Sequence, residues 1–436
     1  MHLGLGDIDK TQEEVINRLH GDKVIWIIIL FLSLISIALI YSSSSSLAFK
    51  EHTTNFSFLI KQLKFVFLGL VALYICYKIP LRWYRFLATP ALIVTIILLA
   101  LVPVIGQELN GAKRWLNFGG VTFQPTELAK ITVVLYLAKT LESNSLETFG
   151  EFFVKILIPV GIVCVLIMMG SVSTALFVGL LCLLILFISG VKGAHLIKTI
   201  GLAAGALLLI FMLHLSFGIF PRMDTATSRI KRFFKSEQVN ETTLTAEQKQ
   251  AKADETFQAD MAKIAISSAP ILGKGPGKST QRYVLPHPYS DYIYTIIVEE
   301  YGIFGGAFVL MLYLWFLYRC IMLMKTCKTI FSSVTVGGLG LLITIQALLH
   351  ILVNVGILPV TGHTLPLVSL GGTSLIILSC AFGIVLAVSR TKESSLGTAT
   401  ATAGAGTQTP SEAAATGNGT AVKGEGNSVA GGGNEQ

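Results

Sequence analysis

The sequence predicts an all-α polytopic membrane protein, and two observations carry that prediction. Hydrophobic residues make up 53% of the 436-residue chain and charged residues only 13%, too little charge to coat a soluble protein of this length. Apolar runs long enough to cross a hydrocarbon layer of about 30 Å also recur along the chain. They fall near residues 24–42, 60–78, 84–105, 125–141, 153–169, 171–189, 196–218, 296–318, 336–356 and 373–389, about ten transmembrane helices. Lys61 and Lys64 interrupt the first turns of the second run, where their long stems allow the charges to snorkel. Residues 1–22 are polar and the apolar run after them is too long for a signal core, so a cytoplasmic N-terminal tail is expected rather than a cleaved signal peptide.

Orientation follows from the short loops. With a cytoplasmic N-terminus, the inside loops carry Arg82 and Arg85, Lys192 and Lys198, Lys325 and Lys328, then Arg390 and Lys392. The outside loop at 357–372 carries no Lys or Arg. Lys113 and Arg114 are exceptions, as are the basic residues of the large loop at 219–290, which is long enough to be translocated regardless of charge. An even number of spans returns the C-terminus to the cytoplasm. The transmembrane domain is therefore expected over 23–389, followed by a disordered tail at 390–436, rich in Gly, Ala, Thr and Ser from residue 394. Residues 236–256, rich in Lys, Glu and Gln, are expected to be mobile.

The net charge of +8 fits positive-inside loops. A nucleic-acid partner would need a clustered basic face on a soluble element, and none is present. The six cysteines lie in or beside apolar segments with no CxxC pair, so neither a disulfide frame nor a metal site is implied.

Three polar patches face outward at the ends of apolar runs. The first is Asn110 to Ile131, "NGAKRWLNFGGVTFQPTELAKI". Pro125 suits a helix N-terminus, and Glu127 and Lys130 then share one helical face. They could form a self-neutralising pair that lets the helix enter the membrane, or line a substrate cavity. Upstream, Arg114 beside Trp115 suits a lipid phosphate with the ring at headgroup depth.

The second patch is Gly273 to Tyr294, "GKGPGKSTQRYVLPHPYSDYIY". It resembles a nucleotide phosphate loop by eye, but the spacing from Leu272 to Gly277 breaks the Walker pattern, and the segment is expected outside, away from ATP. Lys278, Arg282 and the amides of Gly275 to Ser279 could instead line an anion site. Asp291 begins the next span, where it is either the helix N-cap or a catalytic acid or base. Glu299 and Glu300 lie deeper in that span and are expected to pair with polar groups inside the bundle.

The third patch is Leu358 to Ser374, "LPVTGHTLPLVSLGGTS", apolar but broken by Pro359, Gly362, Pro366, Gly371 and Gly372. Irregular backbone at membrane depth survives only when buried in protein or lining a cavity, so a re-entrant loop is expected at 357–372. His363 has no second His or Cys at ligand spacing and reads as an interfacial polar residue.

Together these patches, in this order, resemble the SEDS family (shape, elongation, division and sporulation), typified by FtsW and RodA, over essentially residues 23–389. The strings "NGAKRWL" and "HTLPLVSLGGTS" lean toward the FtsW branch. Two departures stand out: His287 replaces an acidic residue of many members, and "MGSVSTALFVG" replaces their Gln-Pro-Asp-Leu-Gly-Thr-Ala string. Roles of those family residues do not carry over.

The resemblance implies a peptidoglycan glycosyltransferase that polymerises lipid II at the outer face of the bacterial inner membrane, for septal synthesis in cell division. Asp291 matches the family's proposed catalytic aspartate. Arg114, Trp115, Glu127, Lys130, Lys278, Ser279, Gln281, Arg282 and Ser369 form the candidate substrate-binding set. The resemblance also implies a class B penicillin-binding protein as partner, and allows a divalent cation (Mg or Mn) but no nucleotide. In the implied reaction one sugar's 4-hydroxyl attacks the anomeric carbon of another and expels a polyprenyl pyrophosphate. A carboxylate base takes the hydroxyl proton, cations stabilise the leaving group, and inversion needs no covalent nucleophile. Alternatives are a lipid II flippase, an elongation polymerase of the RodA type and a non-catalytic division scaffold.

Overall fold

The computed structural model describes residues 21–43, 55–109, 112–119, 121–144, 146–217, 221–234, 261–281 and 289–405. The polar stretch 236–256, Arg282 and His287 lie outside the described residues. Every expected span falls on a helix. In chain order these are α1 (Lys23–Ser43), α2 (Asn55–Lys78), α3 (Leu81–Ile105) and α4 (Pro125–Ser143). Then follow α5 (Phe149–Gly170, with a π-turn at Phe153–Leu157), α6 (Val172–Ile188) and α7 (Gly193–Phe217). The large loop contributes an amphipathic helix, α8 (Pro221–Phe234), and the chain ends through α9 (Ile293–Thr326), α10 (Ile330–Asn354) and α11 (Thr373–Ala405).

Among the described residues, 8 helices are long and apolar enough to cross a membrane. Two of the expected spans fall short of that standard for different reasons. Helix α6 has 17 residues, about 25 Å of rise. Helix α4 carries Glu127, Lys130, Lys139 and Glu142. Helix α9 runs past both expected ends and α10 begins six residues early, because hydropathy marks the hydrocarbon-buried stretch while the hydrogen-bond ladder continues into the interface.

Two features were absent from the sequence reading. Residues 107–123 form a three-stranded antiparallel sheet, β1 (Gln107–Leu109), β2 (Ala112–Phe118) and β3 (Val121–Phe123), in the order β1-β2-β3. Two of its strands have three residues each, too short for an alternating pattern to register. The last helix also continues to Ala405, into the stretch expected to be disordered. The chain divides into two compact units after Ser394; of the second, Ser395–Gln436, the described part is this helical extension.

Within the first unit, α10 is the central helix, packed against α9, α4 and α6 through Val336, Leu339, Leu342, Ile343 and Ala347. Helix α1 packs on α2 and α9. Helices α2 and α11 cross closely at Gly383, where an added Cβ would lie 2.4 Å from the Leu73 carbonyl oxygen. Such small-residue crossings are the usual device where lipid removes the hydrophobic drive between helices. Helix α7, by contrast, buries little of its apolar length. A dry groove of about 400 Å³ opens between α5, α6 and α7, lined by residues such as Val160, Met168, Leu180, Ala203 and Leu207.

One end of the bundle is clamped by charge. The Asp22 carboxylate caps α1 through the amides of Val24 (2.9 Å) and Ile25 (3.3 Å), and accepts from Arg319 of α9 at 2.9 and 2.5 Å. Its own amide donates to Ser389 of α11 at 2.6 Å. At the same end, Arg85 pairs with Glu142 at 3.0 Å and Arg390 donates to the Lys78 carbonyl. The three outward patches of the sequence reading gather at the other end.

Candidate functional site

The segment between α10 and α11 is irregular, and Leu365 to Ser369 within it are buried. Its carbonyls are met by side chains from the surrounding helices. His363 O accepts from His350 Nδ1 (2.7 Å), Thr364 O from Gln346 (3.1 Å), Pro366 O from the Tyr313 hydroxyl (2.6 Å) and Val368 O from Ser36 (2.9 Å). Backbone amides of Val368 and Ser369 close on Leu365 O. This arrangement is what lets non-helical backbone persist at depth. It also holds Leu367 at a positive φ of 62°, a conformation costing about 1–3 kcal/mol for a residue with a side chain.

The same loop positions Asp291. Ser369 is buried; its hydroxyl accepts from the Leu365 amide (2.9 Å) and donates to Ser290 O (2.8 Å). Leu370 N donates to Tyr289 O at 3.0 Å. From α10, Asn354 donates to Asp291 O (2.9 Å), while its own oxygen accepts from the amide and hydroxyl of Thr295, at 3.2 and 2.9 Å. The residue at the N-cap of α9 is Tyr292, and Asn354 covers the first-turn amide of Thr295 from the neighbouring helix. Asp291 itself is half-buried, with its backbone braced from two sides.

Gln346, His350 and Asn354 thus form a polar stripe on α10 at four-residue spacing. The sequence reading missed it, although three polar side chains one turn apart in an apolar helix were a usable signal. Gln346 also links the stripe to the first patch. Pro125 opens α4 as expected, and Lys130 donates to Glu127 (2.8 Å) and to Gln346 Oε1 (2.7 Å). Lys130 is fully buried, lying over the Phe177 ring whose other neighbour is His363. On a helix rising 1.5 Å per residue, Gln346 lies about 12 Å along α10 from Asn354. The Lys130 pair therefore sits well below the backbone anchor of Asp291.

The remaining candidates are placed as follows. Arg114, on β2, donates from Nε to Gly170 O at the C-terminal end of α5 (3.0 Å), so part of its guanidinium completes that helix end. Trp115 is half-buried opposite Gln107 in the sheet. Lys278 is exposed and Gln281 half-buried. Ser279 is buried and donates to Glu299 at 2.5 Å. Of the five residues from Gly275 to Ser279, Gly275 and Lys278 donate their amides to the Glu300 and Gly275 carbonyls, and Pro276 has no amide hydrogen. Most of the backbone cradle expected there is therefore engaged or missing.

Of the two acids expected to pair inside the bundle, Glu300 does so and Glu299 is turned to the glycine-rich loop instead. Glu299 holds the glycine-rich loop through Lys274, Ser279 and Thr280, and Glu300 accepts from Ser42 of α1. Among the described residues, no three His, Cys, Asp or Glu side chains converge as a metal cage.

A family model, FTSW_RODA_SPOVE, described as "Cell cycle protein", matches residues 22–394. The chain belongs to this family. Its relatives include "Peptidoglycan glycosyltransferase MrdB" of Escherichia coli, 30% identical over 380 residues, covering 85% of this chain and 94% of the relative. "Probable peptidoglycan glycosyltransferase FtsW" of Hydrogenovibrio crunogenus is also 30% identical, over 382 residues, with 85% and 92% covered. Among solved structures, the rod shape determining protein RodA of Thermus thermophilus matches with a TM-score of 0.61 and 25% identity, covering 86% of this chain and 99% of that one. A chain from a peptidoglycan synthase complex, solved in a study of the coordination of polymerization and crosslinking, matches with a TM-score of 0.65 and 26% identity, covering 84% and 97%. The FtsW/RodA/SpoVE match takes in all the site residues described above, and with the apolar helices it makes the chain an integral membrane protein.

Proposed function

We propose that this chain is a peptidoglycan glycosyltransferase that polymerises lipid II at the outer face of the inner membrane, at the division septum. The observation that carries this reading is the placement of Asp291: half-buried, just before the N-cap of α9, with its backbone braced by Asn354 and its neighbour Ser290 by the loop after α10. A carboxylate so held can take the proton from the acceptor sugar's 4-hydroxyl as that oxygen bonds to the donor's anomeric carbon. The bond from that carbon to the pyrophosphate breaks on the opposite face, so configuration inverts. Lys278, exposed on the glycine-rich loop, binds the donor's pyrophosphate, which is charged before and after it leaves.

The polyprenyl chain needs an apolar path, and the groove between α5, α6 and α7 supplies one of about 400 Å³. The roof of this groove is tied to the site. Asp224 of α8 pairs with His214 of α7 at 3.1 Å, and Arg229 of α8 donates to Val360 O of the re-entrant loop at 3.2 Å. A class B penicillin-binding protein is the proposed partner, supplying the crosslinking that follows polymerisation. The flippase reading gains from a break in α9 at Gly302, since transporters use discontinuous helices. Yet the Glu299 and Glu300 carbonyls at that break accept from the amides of Lys274 and Gly275, which leaves them coordinated by protein.

The deciding experiment is reconstitution of the chain with its transpeptidase partner and labelled lipid II. A glycan ladder is expected; its absence from an intact, correctly inserted complex would sink the reading. Orientation is tested separately in a cysteine-free background. A membrane-impermeant maleimide applied to spheroplasts should label Gln250→Cys and spare Thr400→Cys. The reverse pattern inverts the topology and removes Asp291 from the outer face.

A further inference from the structure

We propose that Glu299 is a positioning residue, whose buried carboxylate holds the glycine-rich loop so that Lys278 is presented to the donor's pyrophosphate. The proposal rests on the polymerase reading above. Glu299 has no exposed surface, although it lies within a membrane-spanning helix where a lone carboxylate is costly. Its oxygens accept from Lys274 Nζ (2.6 Å), the Ser279 hydroxyl (2.5 Å), the Thr280 amide (3.0 Å) and the Thr280 hydroxyl (2.9 Å). All of these donors belong to the loop. None belongs to the helices around α9.

The backbone is shaped for this contact. Gly302 has φ 69° and ψ −167°, a region open essentially to glycine, and this breaks α9 one turn after Glu299. The loop enters the break: Lys274 N donates to Glu299 O and Gly275 N to Glu300 O, both at 2.9 Å, and Ile303 N donates to Ile271 O at 3.2 Å. The approach is so close that a Cβ on Gly302 would lie 2.1 Å from Ile271 O, and one on Gly273 would lie 2.3 Å from Glu300 O. A helix has been opened and two glycines placed to seat a loop on one carboxylate. The seated residues, Lys274 on one side and Ser279 with Thr280 on the other, flank Lys278, which stays exposed. A loop pinned on both sides of its free cation loses little conformational freedom when an anion binds.

The test uses Glu299→Gln in the full-length protein with its transpeptidase partner, read by hydrogen exchange and by lipid II kinetics. The substitution keeps side-chain volume but weakens every charge-assisted bond to the loop. Exchange of the peptide spanning residues 271–281 should accelerate at least about tenfold, the equilibrium equivalent of losing one such bond. KM for lipid II should rise about tenfold with kcat within about twofold, because the loop contacts the pyrophosphate in ground state and transition state alike. A merely structural role would lower the active fraction and kcat without this split. Thr280→Ala, which removes one hydroxyl donor at an exposed position, should give the same pattern to a smaller degree, and it serves if Glu299→Gln fails to insert.

Unchanged exchange in both variants overturns the proposal at its structural step. Accelerated exchange with unchanged KM overturns it at its functional step while leaving the polymerase reading intact. A wild-type complex that makes no glycan at all removes that reading, and the proposal with it, whatever the exchange shows.

Discussion

Lipid II polymerisation by an Asp291→Asn protein is expected to fall about 10²- to 10⁴-fold, the range lost with a positioned general base. The size of the loss should come with little loss of stability. Asparagine keeps the volume and polarity of the side chain. The bond that ties this residue to α10 runs from Asn354 to the Asp291 backbone carbonyl, which the substitution leaves in place. The first-turn amide of Thr295 is likewise covered by Asn354. Membrane insertion and thermal unfolding in detergent should therefore match the wild type while the glycan ladder disappears. Undiminished synthesis by an inserted Asp291→Asn protein would remove the residue from the reaction. A protein that fails to insert would instead assign it to the folding of α9.

The second large effect is expected from exchanging Glu127 and Lys130. In an exposed helix such a reversal would cost little, because an i,i+3 pair contributes only about 0.2–0.5 kcal/mol. Here Lys130 is fully buried and also donates to Gln346 Oε1, whose amide nitrogen in turn holds Thr364 O. A glutamate at 130 would face that amide oxygen. Turning the amide round would satisfy the new carboxylate but set the Gln346 oxygen against Thr364 O. Either way one buried polar group loses its partner, which costs about 1–3 kcal/mol. The doubly exchanged protein should fail to support division in a depletion strain, with a lowered unfolding temperature by immunoblotted thermal shift. Healthy division would show that only mutual neutralisation matters. A normal unfolding temperature with no lipid II turnover would place the pair in the reaction instead of in the support of the re-entrant loop.

The parts of this architecture that were legible in the sequence are those encoded by neighbours. Apolar runs located the spans, Pro125 marked the start of α4, and the glycines and prolines between 358 and 374 marked an irregular loop at depth. The Glu127–Lys130 pair could be read from helical spacing. What the sequence did not reveal depends on groups distant along the chain. The partner of Lys130 is Gln346, that of Arg114 is Gly170, and that of Asp291 O is Asn354. Hydropathy treats α10 as one apolar span, so its polar stripe is averaged away. The glycines at 273 and 302 read as separate loop and helix residues, and their mutual contact exists only after the chain folds back. Short strands at 107–123 leave no periodic trace at all.

The stripe on α10 has a consequence for how this protein can be altered. Gln346, His350 and Asn354 grip three carbonyls on two pieces of backbone, at Thr364 and His363 and at Asp291. Successive grips are about 6 Å apart along the helix axis, and adding or deleting one residue between them would rotate the lower grip by about 100°. The helix is therefore fixed in length to the residue over that interval. Grafts between relatives should keep α10, the loop that follows it and the first turn of α9 as one inherited block, with the crossovers placed at the clamped end of the bundle.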